Sequence, residues 1–303
     1  MSVRIAIARY RVERVASFED FAAKQARIVE QSRAAGAQLL VLPEYLGMEL
    51  ATAIADHATL EPAALALAVA PLAARFDALF QTLADRARIE IVAGSFLCRG
   101  AGELLRNRST WFAPQRMPVA QDKLALTGFE RALGCLEPGD ALTVVEFAGT
   151  RAGIAICYDI EFPLPPRAQV EAGARLIVCP SCSDTDAGAM RMQIGAAARA
   201  LENQIFVAKA VTAGDAPFNA FLDTNTGEAA LHTPVDLGFA ADGLLAVRRV
   251  AIGEAGALAI AELDFSALAT ARRHGAVRNH ADWPQQLRPS LIRARLRGTG
   301  PRS

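Results

Sequence analysis

The chain has 303 residues, 52% of them hydrophobic, and its 32 lysines and arginines are balanced by 32 aspartates and glutamates. This length allows one large domain or two ordinary ones, with enough apolar side chains for a substantial core. A net charge of zero gives no general attraction to nucleic acid or to an anionic membrane, so we expect neither as a partner.

Neither the start of the chain nor its cysteines indicate export. Arginines interrupt the apolar residues of the first 15 positions, unlike the apolar region of a signal peptide. The odd number of cysteines in a large chain does not suggest a disulfide framework. The most apolar run, 63–74, contains Pro71 and falls short of the roughly 20 residues that a membrane span needs. We therefore expect a cytoplasmic protein with reduced thiols.

Strand-like and helix-like segments alternate through the first two thirds of the chain. Residues 3–8 predict a strand, and Ser17 predicts a helix N-cap with Asp20 in the capping-box position. Gly36 fits the end of that helix, and a buried strand follows over 37–44. Further strands are predicted at 89–95, 109–113, 142–147, 153–157, 175–181 and 204–211, and further helices around Phe76, at 166–174 and at 188–203.

After residue 211 the pattern changes to hairpins. Residues 223–228 form a turn by their Asn and Gly content, and 243–250 and 256–264 alternate as strands do. A last helix is predicted at 265–273. Alternation followed by hairpins, without a linker, predicts a single α/β domain over 1–285, a layered sandwich with helices outside. The remainder, 286–303, is predicted to be an Arg-rich tail.

Three polar residues share an unusual context. Glu44 follows a buried apolar run, Lys123 follows "MPVAQD", and Cys157 ends the run "GIAI". Functional groups gather at the carboxyl ends of strands in α/β sheets, so the three could share one site. The lysine would lower the thiol pKa, the glutamate would act as general base, and the lysine would stabilise an oxyanion. Taken singly, each also fits a loop carboxylate, a surface lysine or a core cysteine.

A family resemblance connects the three residues. "LLVLPEY", "DKLALTGFE" and "GIAICYDIEFP" resemble the glutamate, lysine and cysteine motifs of the nitrilase superfamily of carbon–nitrogen hydrolases, in the same chain order. "GAAARALENQIFVAKA" resembles the stretch that follows the cysteine in that family. The similarity covers most of the chain, from about residue 3 to about residue 264.

The resemblance implies an α-β-β-α sandwich and a catalytic triad of Glu44, Lys123 and Cys157. Glu130 matches a second glutamate that often follows the lysine, where it would orient the lysine or the substrate nitrogen. The Tyr158 backbone N–H would be a second oxyanion donor. Substrate contacts are also expected from the residues Tyr45, Glu161 and Ser181.

The sequence departs from the family pattern after the cysteine. Glu161 replaces an arginine that many relatives carry, Leu164 replaces a glutamate, and the "CWE" of true nitrilases is absent. These changes disfavour nitriles as substrates. A carboxylate at Glu161 would repel acidic substrates unless it pairs with Arg167 or Arg191, so we expect neutral or amine-bearing amides to be preferred.

Other features of the sequence allow different functions. Cys179 and Cys182 form a C-x-x-C pair, which could be a redox site, but the sequence around them is loop-like rather than a helix start. The alternative explanation places Ser181 and Cys182 at the edge of a pocket. A papain-like Cys/His enzyme would need local signatures that are absent, and zinc would need a second pair of ligands. A catalytically inactive or acyl-transferring member of the same fold stays open.

The sequence therefore predicts an amidohydrolase with no cofactor and no metal. Cys157 would form a thioester with a small-molecule amide, releasing ammonia or an amine. The resemblance implies a homodimer or larger homo-oligomer.

Overall fold

The computed structural model describes residues 2–100, 102–245, 248–252, 256–288 and 291. Its strands are β1 (Ser2–Arg11), β2 (Leu39–Val41), β3 (Glu90–Val92), β4 (Phe96–Arg99), β5 (Leu105–Phe112), β6 (Val119–Asp122), β7 (Val144–Phe147), β8 (Thr150–Ile154), β9 (Ala174–Ser181), β10 (Phe206–Ala213), β11 (Ala230–His232), β12 (Arg248–Ala251) and β13 (Ala257–Asp264). Its α-helices are α1 (Phe18–Ala34), α2 (Pro62–Val69), α3 (Ala73–Ala87), α4 (Gly128–Leu133), α5 (Leu164–Glu171), α6 (Asp186–Asn203), α7 (Phe265–His274) and α8 (Asn279–Asp282). Short 3₁₀ turns cover Leu46–Ala53, His57–Thr59, Ala70–Leu72, Cys157–Glu161 and Trp283–Leu287.

Strand β1 joins the two halves of the sheet. It pairs in parallel with β2 along Ile5–Ile7 and then with β10 along Arg9–Arg11, while β13 runs antiparallel to it along Ser2–Arg9. Beyond β2 the order is β3, β5 and β4, and beyond β10 it is β9, β8 and β7. The sheet therefore curls into two halves that both include β1.

Alternation along β1 separates two cores. Ile5 and Ile7 pack with apolar residues of β9 and β10, between the two halves of the sheet. Ala6 and Ala8 point to the opposite face and pack with aromatic side chains of α1 and α3. A period of two residues places successive side chains on opposite faces of a strand. The layers that result, helix, sheet, sheet and helix, confirm the predicted α-β-β-α sandwich.

Most predicted elements are present, with differences at their ends. Ser17 caps α1, and its hydroxyl accepts the Asp20 backbone N–H at 3.1 Å. Strands β4, β6 and β11 were not predicted, because strands of three or four residues carry little alternation. The strand predicted over 153–157 ends at Ile154. Residues 246 and 247 of the predicted strand 243–250, and the tail after 288 apart from Leu291, lie outside the described residues.

The helical run Pro62–Ala87 is long and apolar enough to span a membrane, by length and composition alone. It extends beyond the apolar run 63–74, so the expectation that this region is too short for a membrane span was wrong. That test is also passed by core helices of soluble proteins. Here Leu65, Val69, Phe76 and Phe80 are all buried within the core that includes α1. One face of the run thus packs into the core, with 33% of its most apolar window buried, and the 3₁₀ turn at Pro71 interrupts it.

Gly94 controls how the chain turns next to Glu44. Its φ of +65° lies in the left-handed region, and a Cβ built there would stand 1.9 Å from the Pro43 carbonyl oxygen. The neighbouring Ser95 accepts the Tyr45 backbone N–H at 2.8 Å. A side chain at position 94 would therefore push the backbone that carries Glu44.

We predict that Gly94→Ala lowers the free energy of unfolding more than Gly134→Ala does. Gly134 has nearly the same φ, +68°, but its added Cβ would meet nothing within 4 Å. The control should cost only backbone strain, about 1–2 kcal/mol, whereas the clash at Gly94 should add about 1–3 kcal/mol. Urea unfolding of both variants measures the difference. Equal losses would show that the approach to Pro43 is not constraining.

Candidate active site

Glu44 is delivered by the end of β2. The chain leaves that strand through Leu42, whose N–H donates to the Val92 carbonyl at 3.0 Å, and through Pro43. Glu44 is 1% exposed, and Tyr45 after it has a φ of +58°. A left-handed non-glycine residue marks a constrained turn. This turn points the carboxylate inward rather than along the strand.

Lys123 follows directly after β6, and its side chain is 1% exposed. Its Nζ donates to Glu44 Oε1 at 2.8 Å and to Glu130 Oε1 at 2.9 Å. The Asn107 side-chain N–H donates to the same Glu44 oxygen at 2.8 Å. A buried ammonium thus lies between two buried carboxylates.

Glu130 is fixed by the start of helix α4. Its Oε2 accepts the Thr127 backbone N–H at 2.7 Å, and the Thr127 hydroxyl accepts the Glu130 N–H at 3.2 Å, which completes a capping box. Its other oxygen accepts the Tyr45 hydroxyl as well as Lys123. Sequence motifs could have indicated this cap, since T-x-x-E precedes the helix.

Cys157 is the first residue of the 3₁₀ turn after β8. It does not end the strand as predicted; β8 ends at Ile154, although the Ala155 N–H still donates to the Val178 carbonyl at 3.0 Å. Cys157 has a φ of +47° and is 5% exposed. Its Sγ lies 3.4 Å from the Cys182 carbonyl oxygen. The strained backbone turns the thiol out of the sheet and toward Glu44 and Lys123.

Asp159 connects the lysine segment to the cysteine turn. Its carboxylate accepts the N–H groups of Leu124 at 3.1 Å and Ala125 at 2.8 Å, directly after Lys123. It also accepts the Ile156 N–H at 3.3 Å, directly before Cys157. Burial raises the Asp159 pKa to about 6, and the N–H donors oppose that rise. No role for Asp159 was predicted from the sequence.

Burial and charge set the protonation of the four central groups. Burial raises the Glu44 pKa, and the Lys123 charge only partly opposes it. Burial alone would lower the Lys123 pKa, but Glu44, Cys157 and Glu130 raise it above its usual value. Burial would raise the Glu130 pKa, and Lys123 lowers it below its usual value. Lys123 therefore stays charged.

The Lys123 charge lowers the Cys157 pKa, as expected, but the net shift of that pKa is upward. Burial raises the Cys157 pKa well above its usual value, the Glu44 charge raises it further, and the Lys123 charge opposes both without overcoming them. The thiol is therefore protonated at neutral pH. A neighbouring base has to accept its proton before it can act as a nucleophile.

These groups lie at one cavity of about 400 Å³. Tyr45, Tyr158 and Glu161, all predicted to contact substrate, line it. Ser181 does not; it is fully buried in β9, with its hydroxyl 3.3 Å from the Cys179 carbonyl. The residues that follow it, 182–184, reach the cavity instead.

An aromatic wall and an ion pair complete the cavity. Phe221 packs edge-on against Tyr45 and Phe129, at centroid distances of 4.9 and 5.4 Å. Arg191 Nε lies 3.3 Å from Glu161 Oε1, and both residues line the cavity. The pairing with Arg191 was one of the alternatives that the sequence left open. The aromatic wall was not predicted, because Phe129 and Phe221 are distant in the chain.

The C-x-x-C pair lies at this site, with Cys179 buried and Cys182 half-buried in the cavity wall. Cys179 and Cys182 are free thiols, and burial raises the pKa of each to about 12. Cys182 contributes its carbonyl to the Cys157 thiol. Within the described part of the chain, no group of three or more His, Cys, Asp or Glu is placed to hold a metal ion.

Comparison with other sequences gives the family. A model described as Carbon-nitrogen hydrolase matches residues 4–273. The chain is 28% identical over 280 residues to "Probable hydrolase YhcX" of Bacillus subtilis (strain 168), covering 92% of this chain and 53% of that protein. It is 24% identical over 197 residues to "Omega-amidase NIT2-A" of Xenopus laevis, covering 62% of this chain and 67% of that protein. The chain thus spans about half the length of YhcX.

Solved structures share the fold. Nit3 of Saccharomyces cerevisiae, a member of branch 10 of the nitrilase superfamily, superposes with a TM-score of 0.67 at 19% identity, covering 90% of this chain and 93% of that one. An amidase of Nesterenkonia AN1 from the same superfamily gives a TM-score of 0.67 at 22% identity, with 93% and 97% covered. At these identities the likeness establishes the architecture.

Proposed function

Because this chain belongs to the carbon–nitrogen hydrolase family, we propose that it is an amidohydrolase that cleaves a non-peptide carboxamide through a thioester on Cys157. One observation carries the proposal. A protonated thiol, a buried carboxylate of raised pKa and a charged lysine line the same cavity. That set contains a nucleophile, a base and an oxyanion stabiliser, which together are sufficient for acyl transfer.

The first half of the reaction forms the thioester. Glu44 takes the proton of the Cys157 thiol as its sulfur bonds to the amide carbonyl carbon. The negative charge that develops on the carbonyl oxygen is stabilised by Lys123 Nζ and by the Tyr158 backbone N–H. When the tetrahedral intermediate collapses, the C–N bond breaks, and Glu44 returns its proton to the departing ammonia or amine.

The second half releases the acid. Glu44, again ionised, takes a proton from water as the water oxygen bonds to the thioester carbonyl carbon. The C–S bond then breaks, the carboxylic acid leaves, and Cys157 recovers the proton from Glu44. The raised Glu44 pKa supports this shuttle, because a stronger base is better matched to a thiol of raised pKa.

Two alternatives make different predictions about the product. An acyl-transferring enzyme would pass the acyl group to an amine rather than to water, so hydroxylamine would divert the product to a hydroxamate at a rate exceeding hydrolysis. An inactive binding protein would release no ammonia from any amide. A redox role for Cys179 and Cys182 is disfavoured by their raised pKa values and by the burial of Cys179.

We predict that Glu44→Gln lowers kcat at least about 100-fold in a protein that still folds, since general-base assistance is worth roughly 10² to 10⁴. Lys123→Ala should do equal or greater damage, and Glu130→Gln should fall between Glu44→Gln and the wild type. Released ammonia from short aliphatic amides measures the rate, and circular dichroism checks the fold. Near-wild-type turnover in Glu44→Gln or Lys123→Ala would remove that residue from the mechanism.

The charge of the cavity suggests which amides fit. Glu161 pairs with Arg191, so it does not present a free carboxylate to the substrate. Two further carboxylates, Asp184 and Asp223, also line the cavity. Acidic lining residues therefore outnumber basic ones around the nucleophile. We propose that neutral or amine-bearing amides are preferred over acidic ones, because the cavity as a whole, and not Glu161 alone, carries an excess of negative charge.

A matched series of butyramide, 4-aminobutanamide and succinamate tests this preference by kcat/KM. The wild type should cleave the anionic succinamate least well. Glu161→Gln should raise its kcat/KM by about 10-fold by freeing Arg191, and Arg191→Gln should lower it, because each change alters one unit of charge near the substrate. A wild-type preference for succinamate would contradict the proposal, as would an unchanged kcat/KM for succinamate in both variants.

Asp159 should act by holding Lys123 and Cys157 at their working distance. We predict that Asp159→Asn lowers kcat by about 10- to 100-fold with little change in KM, since small misplacements of catalytic groups cost this much. Because Asp159 acts through the lysine, Lys123→Ala/Asp159→Asn should be little slower than Lys123→Ala alone.

The control for that cycle is Glu49→Gln. Glu49 is a buried carboxylate bonded to Lys24 at 2.6 Å, outside the cavity. Its replacement should reduce stability and leave kcat nearly unchanged. Additive losses in the Lys123/Asp159 double variant would mean that Asp159 does not act through the lysine.

A further inference from the structure

A second cavity, of about 670 Å³, lies beside helix α6. Gly188, Arg191 and Met192 of this helix line the first cavity, whereas Met190 and Gln193 line the second. The helix therefore separates the two spaces and presents a different face to each. Strands β10 and β11 and residues 226–229, 244, 245 and 249 provide the other walls.

Lys209 of β10 lines this second cavity and is 2% exposed. Its Nζ donates to the Gln193 side-chain oxygen at 3.1 Å. Among the described residues no carboxylate oxygen lies within 4.0 Å of that nitrogen. Burial lowers the Lys209 pKa, and more distant negative groups, such as Glu228, oppose the shift. The amine has one neutral hydrogen-bond acceptor and lacks a close counter-charge, an arrangement that is costly for a buried cation.

The other charges on the walls do not supply that counter-charge. Glu228 is shared by two arginines, Arg9 at 3.4 Å and Arg249 at 2.9 Å. Asp186 accepts the Thr226 hydroxyl at 3.1 Å at the exposed edge. Among the described residues that line this cavity, three basic side chains thus face two acidic ones. These side chains carry one excess positive charge. Of the three basic side chains, Lys209 is the buried one.

The rest of the lining is apolar. It includes the side chains of Ala189, Met190, Leu231, Leu244 and Leu245. A volume in this range and a mainly apolar wall with few polar groups are typical of small-molecule sites. An inorganic anion would leave the apolar wall uncovered, and a neutral molecule would leave the lysine unpaired.

We propose that this cavity binds a small organic acid, whose carboxylate pairs with Lys209 Nζ and whose apolar body packs against the leucines. The proposal concerns a site distinct from the Cys157 cavity and does not depend on the amidohydrolase assignment. A carboxylate at this position would give the buried ammonium a charge-assisted hydrogen bond.

Octanoate and 1-octanol, which share a chain and differ in charge, are the probes. Calorimetric titration of the Cys157→Ala protein removes turnover from the measurement. We expect octanoate to bind at a single site at least about 10-fold more tightly than 1-octanol, as a buried charged hydrogen bond implies. Lys209→Met should remove this advantage, and Lys209→Arg should retain part of it.

Arg191→Ala in the Cys157→Ala protein is the control for binding in the first cavity. If circular dichroism shows that Lys209→Met does not fold, Lys209→Gln takes its place. Arg191→Ala should leave octanoate binding unchanged. The proposal is overturned if octanoate does not bind, if it binds equally after Lys209 is replaced, or if only Arg191→Ala abolishes binding. None of these outcomes bears on amide hydrolysis, which the wild type reports separately.

Discussion

The contact between the Lys123 ammonium and the carboxylates of Glu44 and Glu130 organises the active cavity. Three side chains that are each almost fully buried share two hydrogen bonds of 2.8 and 2.9 Å. Removing Lys123 would leave two buried carboxylates without their counter-charge, and breaking a buried ion pair in this way costs about 3–5 kcal/mol. Burial raises the Cys157 pKa and the Glu44 charge raises it further, so the thiol rests protonated and needs a neighbouring base.

The carboxylate, the ammonium and the thiol of the predicted triad each lie just beyond the end of a strand. Glu44 follows β2, Lys123 follows β6, and Cys157 begins the turn after β8. Two left-handed residues, Tyr45 and Cys157, turn the chain away from the sheet at these ends. Hydrogen bonds from Asp159 then tie the lysine segment to the cysteine turn. Local backbone strain at a site is expected where the surrounding structure fixes it.

The sequence was informative wherever a residue type and its context coincided. The α-β-β-α fold, the family and the convergence of Glu44, Lys123, Glu130 and Cys157 were predicted, because motifs and alternation are local patterns. Effects that depend on distant segments were not. Burial overturned the expected sign of the thiol pKa shift, and the inward direction of Ser181 removed it from the cavity wall. The acidic residues Asp184 and Asp223 reach the cavity from separate loops, which no spacing rule reveals.

We propose that Cys157 carries the acyl group during turnover. To test this, the protein is mixed with butyramide and quenched with acid within one turnover. Its peptides are then mapped by mass spectrometry. We expect a butyryl group on the peptide that contains Cys157 and on no other cysteine peptide. Treatment with hydroxylamine should remove this group. An acyl group on Cys179 or Cys182, or continued ammonia release by a Cys157→Ala variant, would contradict it.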